Sequence, residues 1–251
     1  MIHLRELVAY LDDYLQTATV PDYAGAYNGL QVEGRETVQR VAVAVDACLH
    51  TIERALEAEA DLLIVHHGLF WGKTAPLTGT HYQRVEKLIR NNLPLYSSHL
   101  PLDAHPEVGN CAVLARLLGF LPSGRFLEYH GYPLGVVAET EIDLEDLALR
   151  LETVLGVKPQ IIAKGLAEVG RIGICTGAAG SHSGEIPRYG VNTFLTGEGP
   201  HHSFFDAEEL GFNLVYAGHY ATETVGVQAL ASHLERQFRL ETLFIDHPTG
   251  L

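Results

Sequence analysis

His66 and His67 in VHHGLFW, Asp103 in SHLPLD, and His219 with Glu223 in AGHYATE are the side chains whose types and spacing point to chemistry. Three imidazoles and two carboxylates can hold transition-metal ions and leave coordination positions for water and substrate. A hydrolytic metal site is the first expectation. Neighbouring residues on a regular strand face opposite ways, so His66 and His67 suit two ions better than one, and ions roughly 3.5–4 Å apart would let each serve a different centre. Gly68 is expected to let the backbone turn sharply beneath them. The ordinary alternative is a surface or helix-capping histidine pair.

His219 and Glu223 stand four apart at the start of an expected helix, which puts both on one face, the spacing that chelates a metal. Glu223 is the natural bridge, since a carboxylate can offer one oxygen to each ion; a simple helix pair is the plainer reading. Asp103 follows the strand-like PLYSSHL, where Pro101 suggests an extended turn and where an isolated Asp would ordinarily cap a helix. His99 has four readings: a sixth ligand, a partner that orients Asp103, a general base, or an ordinary buried histidine. The mixed nitrogen and oxygen set suits two divalent ions of zinc, iron, manganese or nickel, with open positions that water would fill. Water activated there would be a nucleophile at neutral pH.

Weaker signals lie elsewhere. TGAAGS follows the strand RIGIC and could present backbone N–H groups to a phosphate, but it matches no nucleotide loop, and a tight turn is the plainer reading. TGEGPHH offers Glu198, His201 and His202, which extend the site or cap a helix. NGLQV at 28–32 reads as a turn entering a strand.

These residues need a scaffold. Leu4, Leu7, Val8, Leu11 and Leu15 follow helical spacing. Short β-branched runs then alternate with helical patterns: a strand at 40–46, a helix over 51–60, a strand at 61–67, a helix over 82–91, PLYSSH at 94–99, and a helix over 110–118. That rhythm predicts α/β units around mainly parallel sheets. SGRFLEYHGYP near the midpoint is the expected boundary, giving a half 1–125 with His66, His67 and Asp103 and a half 126–251 with His219 and Glu223. In the second half the rhythm resumes with LGVVAE, a helix over 144–155, PQIIA, RIGICTG, NTFLTGE, a helix over 203–210, NLVYAGH, a long helix and ETLFID.

The 251 residues carry 47% hydrophobic and 19% charged side chains, enough to bury a real core in each half. A formal charge of −14 weighs against nucleic acid as a partner. No apolar run is long enough to span a bilayer, and the acidic, helical amino terminus is unlike a signal peptide, so a cytoplasmic protein is expected. Cys48, Cys111 and Cys175 form no CxxC pattern and read as small buried hydrophobes rather than a disulfide framework or a thiolate site.

YNGLQVEG, LIVHHGLFW, SSHLPLDAHPEVGN, TGAAGS, FLTGEG and VYAGHYATETVGVQAL, in that order, resemble the family of GTP cyclohydrolase I type 2 homologues, also called Nif-three-like proteins. The resemblance runs nearly end to end. It implies two similar, intertwined three-layer α/β/α domains and a toroidal homohexamer with a dinuclear metal centre. It also implies His66, His67, Asp103, His219 and a bridging Glu223 as ligands, the set reached from spacing. Its implied activity is a metal-dependent hydrolase whose activated water attacks a purine nucleotide ring or related small molecule. The alternative is a non-enzymatic metal-binding scaffold or regulator that interacts with proteins or nucleic acid.

Overall fold

The structure, a computed structural model, describes residues 1–71 and 75–251. Its first stretch runs β1 (Ile2–His3), α1 (Leu4–Tyr14), β2 (Gly29–Val32), β3 (Thr37–Val38), β4 (Arg40–Asp46), α2 (Leu49–Glu57), β5 (Leu62–His67), α3 (Gly79–Arg90), β6 (Leu95–Ser97) and α4 (Leu100–Asp103). There follow α5 (Asn110–Leu117), β7 (Gly124–Tyr129), β8 (Tyr132–Asp143), α6 (Leu144–Leu155), β9 (Gln160–Ile162), β10 (Glu168–Ile174) and a 3-10 helix over Ala179–Tyr189. The chain closes with β11 (Thr193–Thr196), α7 (Ser203–Leu210), β12 (Asn213–Tyr216), α8 (His219–Phe238) and β13 (Glu241–Phe244).

Two compact units divide these elements, one of Met1–Val108 with Gly226–His247 and one of Gly109–Val225 with Pro248–Leu251. The units therefore interleave along the chain. The expected midpoint at 125/126 falls inside the antiparallel hairpin of β7 and β8. Its turn-forming residues are real turn residues, with His130 and Gly131 both at positive φ, but they close a hairpin rather than link two bodies.

In the first unit the sheet order is β13-β4-β5-β6-β2, parallel except for β2 on its edge. β4 and β5 are buried along nearly their whole length, which is why they read as unbroken apolar runs rather than alternating ones. α1 buries Leu4, Leu7 and Leu11, the stripe its spacing predicts. In the second unit the order is β7-β8-β10-β11-β12-β9, with β10, β11 and β12 parallel at its centre and antiparallel strands on both flanks. Parallel strands share one carboxyl edge, where α/β folds place their ligands. The donor-bearing loops leave from that edge in each unit. Among the described residues no helix is long and apolar enough to cross a membrane.

Candidate metal-binding residues

In the first unit, β5 ends in His66 and His67, and the parallel register sets Asp46, the last residue of β4, directly beside His67. Asp46 Oδ1 accepts from His67 Nδ1 at 2.8 Å. His66 is fully buried, and its Nδ1 lies 2.9 Å from the Ser98 carbonyl. A carbonyl can only accept, so Nδ1 carries the proton and Nε2 presents a lone pair. That Nε2 is 3.5 Å from Asp103 Oδ2. Donor atoms of His66, His67 and His99 all lie within 4.8 Å of one another, a grouping that could hold a metal ion. Strand alternation predicted divergence for the neighbouring pair; instead their rings sit 4.7 Å apart, tilted 44°.

His99 is more than a bystander. Its Nδ1 donates to Asp22 Oδ1 at 2.8 Å, its backbone N–H to Asn28 Oδ1 at 2.7 Å, and Asn28 Nδ2 donates in turn to Asp22 Oδ2 at 2.8 Å. Burial pushes the Asp22 carboxyl up, but the bonds and charge of His99, with those from Asn28 and the Tyr23 N–H, outweigh it and hold the group below the ordinary carboxylate range. The segment after His99 is not the extended turn expected around Pro101. It is the helical turn α4, which takes proline in its first turn because the N–H there has no helical partner. Asp103 ends that turn and is buried.

Gly68 also has a different role from the one expected. It is absent from the glycines at positive φ; a Cβ there would lie 2.3 Å from Gln31 Nε2. Gln31 spans this spot, accepting from Leu69 N at 2.7 Å and donating to the Tyr27 carbonyl at 2.6 Å. Glycine serves close approach here rather than a sharp turn. The NGLQV segment does enter a strand, β2, through Gly29 at φ +103°.

In the second unit, His219 opens α8 and Glu223 follows one turn later, with His219 Nε2 3.2 Å from Glu223 Oε2. Glu198 Oε1 accepts from His219 Nδ1 at 2.7 Å. The Glu223 hydrogen bond raises the His219 imidazole, burial opposes it, and the Glu223 charge and Glu198 add to it, leaving the group pushed up to about 9. TGAAGS forms the tight turn that leads from β10 into the 3-10 helix. Gly177 sits there at φ +68°, where a Cβ would meet Glu223 Oε1 at 2.3 Å, and its N–H donates to Thr222 Oγ1 at 3.1 Å. The turn thus backs the Glu223 carboxylate. His201 stands edge-on to Phe205, and His202 precedes α7 without a side-chain cap bond.

The imidazoles of His66, His67, His99 and His219 share one arrangement: Nδ1 donates to an oxygen of the protein, so Nε2 is the atom turned toward any metal, and on His219 that atom meets the Glu223 carboxylate 3.2 Å away. Metal-ligating histidines are held this way. His105 is a useful contrast, because Tyr14 O engages its Nε2 and the Glu107 and Val108 N–H groups engage its Nδ1. The donors present therefore fit a metal ion by type and by orientation. Sequence reading missed Asp22, Asn28 and Asp46; only the position of Asp46 at the end of the strand before LLIVHH hinted at a role.

Fold and donors together define an α/β protein with buried His, Asp and Glu groups that could hold a metal ion. The model of the Duf34/NIF3 (NGG1p interacting factor 3) family matches residues 2–250, and the chain belongs to that family. A relative from Deinococcus radiodurans named GTP cyclohydrolase 1 type 2 homolog is 42% identical over 248 residues, covering 98% of this chain and 94% of the relative. The solved structure of TTHA1606 from Thermus thermophilus is 45% identical with a TM-score of 0.91 over the whole of both chains. That of protein ybgI, described as of unknown function, is 38% identical with a TM-score of 0.93, also over the whole of both.

Proposed function

We propose that this chain holds two divalent metal ions through His66, His67, Asp103, His219 and Glu223, with Glu223 as bridge, and hydrolyses a purine nucleotide or related ring. The observation that carries the reading is the common posture of the imidazoles, each with Nδ1 fixed by a protein oxygen so that Nε2 is the atom offered to a metal, on His219 once its proton is released. Five ligands shared by two ions would leave open positions, unlike a closed four-ligand structural site. The relatives' name, GTP cyclohydrolase 1 type 2 homolog, supports a purine nucleotide as the substrate class. Bound zinc, iron, manganese or nickel would supply Lewis-acid activation of water.

The protein's own groups have distinct tasks in this reading. Asp46 and Glu198 fix the rings of His67 and His219, so little ordering remains to be done when a ligand arrives. His99, held by Asp22, offers an Nε2 that can take or return a proton beside the reacting molecule. A cytoplasmic homohexamer is the assembly proposed with it. The test is to incubate metal-loaded protein with GTP and measure formate and dihydroneopterin triphosphate. Release above a metal-free control is expected; none would sink the GTP version.

A second reading, a metal-binding scaffold or regulator, is favoured by the family's description as an interacting factor. No turnover across nucleotides, phosphoesters and amides, together with metal that a chelator exchanges readily, would select it.

A further inference from the structure

The second unit contains a cavity of about 700 Å³ that the metal-ligand reading does not use. That volume lies within the roughly 300–1,000 Å³ of small-molecule sites. Phe204, Phe205, Tyr216 and Tyr220 line it, and so does Glu198. Its position follows from topology: β11 and β12 are parallel neighbours ending at Thr196 and Tyr216, and the loops leaving this carboxyl edge form the wall. Two glycines keep it open. A Cβ on Gly197 would meet Gly177 O at 2.7 Å, and one on Gly199 would meet Tyr216 Oη at 2.4 Å. Tyr216 is a fixed wall, because its hydroxyl is hydrogen-bonded to Ser203 Oγ, which also bonds the Pro200 carbonyl at 2.6 Å.

Glu198 joins this cavity to the metal donors. Oε1 holds His219 Nδ1, whereas among the described residues no donor reaches Oε2 on a side chain that is 50% exposed. Aromatic walls stack on a flat ring whatever its substituents. A carboxylate beside them selects an edge that presents N–H donors and repels one that presents only acceptors. We propose that this cavity recognises the ring of a flat heteroaromatic substrate bearing paired N–H donors, with Glu198 Oε2 accepting from that edge while Oε1 holds His219. Recognition and the posture of a metal donor would then share one side chain. Calling the ligand a substrate rests on the hydrolase reading; the pocket and its ligand chemistry do not.

Calorimetric titration of the full chain, metal-free and zinc-loaded, with guanosine tests this, with inosine as the matched ring lacking the 2-amino donor. Saturable guanosine binding is expected in both forms, with inosine about tenfold weaker. Phe205→Ala, at a residue 46% exposed, should keep the fold and weaken guanosine about tenfold. Glu198→Gln can still accept from His219 but puts an amide where the ligand needs an acceptor, so the guanosine-to-inosine preference should collapse toward about one. No saturable binding, equal binding of both nucleosides, or an unchanged Phe205→Ala affinity overturns the pocket. Binding without formate release from GTP removes the hydrolase and keeps the pocket. Formate release unaffected by either variant removes the pocket and keeps the hydrolase.

Discussion

In the first unit the candidate ligands come from separate places, His66 and His67 from the end of β5, His99 from the residue before α4 and Asp103 from its last turn. In the second unit His219 and Glu223 come from a single turn of α8. The first set is held by other parts of the chain, a backbone carbonyl for His66 and the carboxylates of Asp46 and Asp22 for His67 and His99. The second set is partly held by itself, since Glu223 is the largest influence on His219. Preorganisation from outside leaves donors poised whether or not an ion is present. A pair that satisfies itself with a proton must release that proton before it can bind a cation.

Several outcomes would break or sharpen that contrast. The largest effect is expected from Glu223→Ala, which should abolish both ions if the carboxylate bridges them, whereas His66→Ala should remove chiefly one; metal analysis of the dialysed proteins reads both. Loss of one ion in both variants would argue for a single-metal centre. Next, Asp46→Ala should weaken metal binding by about 10–100-fold through its effect on His67 alone. Competition with a chelator of known affinity measures it, and an unchanged affinity would remove Asp46 as a positioning group.

The pH dependence of the second set has a definite sign. A histidine raised in the folded state stabilises fully below its unfolded value near 6.5, and the gain disappears as pH climbs through the folded value of about 9. Metal-free protein should therefore lose stability between these values, and His219→Gln should flatten that loss in urea melts followed across pH. Metal uptake near pH 7.5 should expel about one proton more from the wild type than from His219→Gln, as read by titration in buffers of different ionisation enthalpy. Equal release would contradict a protonated resting pair.

Smaller effects separate the two glycines. Gly177→Ala places a Cβ against Glu223 Oε1 at a φ of +68° and should cost about 1–3 kcal/mol in urea denaturation. Gly68→Ala meets the end of the flexible Gln31 side chain and should cost about 1 kcal/mol or less. Equal costs would mean that the Gln31 bridge is as rigid as the backing of Glu223.

What could be read beforehand follows the range of each interaction. β4 occupies Arg40–Asp46, the expected span, because apolar β-branched runs declare a buried parallel strand locally. The i,i+4 spacing of His219 and Glu223 was likewise local. Asp22 lies 77 residues before the histidine it holds, and Asp46 meets His67 only through the register of β4 on β5. Neither partnership leaves a periodic trace in the sequence. The unit division was hidden for the same reason: β13 returns to pair with β4, so the first unit takes two distant pieces of chain. Gly68 looked like a turn residue, but contact with Gln31 is what restricts it, whereas Gly177 is the turn residue it looked like, at positive φ, and also backs Glu223.

The central proposal, two ions bridged by Glu223, is tested most directly by anomalous diffraction at the metal edge from crystals grown with zinc. Two peaks roughly 3.5–4 Å apart are predicted, with Glu223 an oxygen ligand to both and His66, His67, Asp103 and His219 completing the set. A single peak, or peaks that Glu223 does not join, would contradict it.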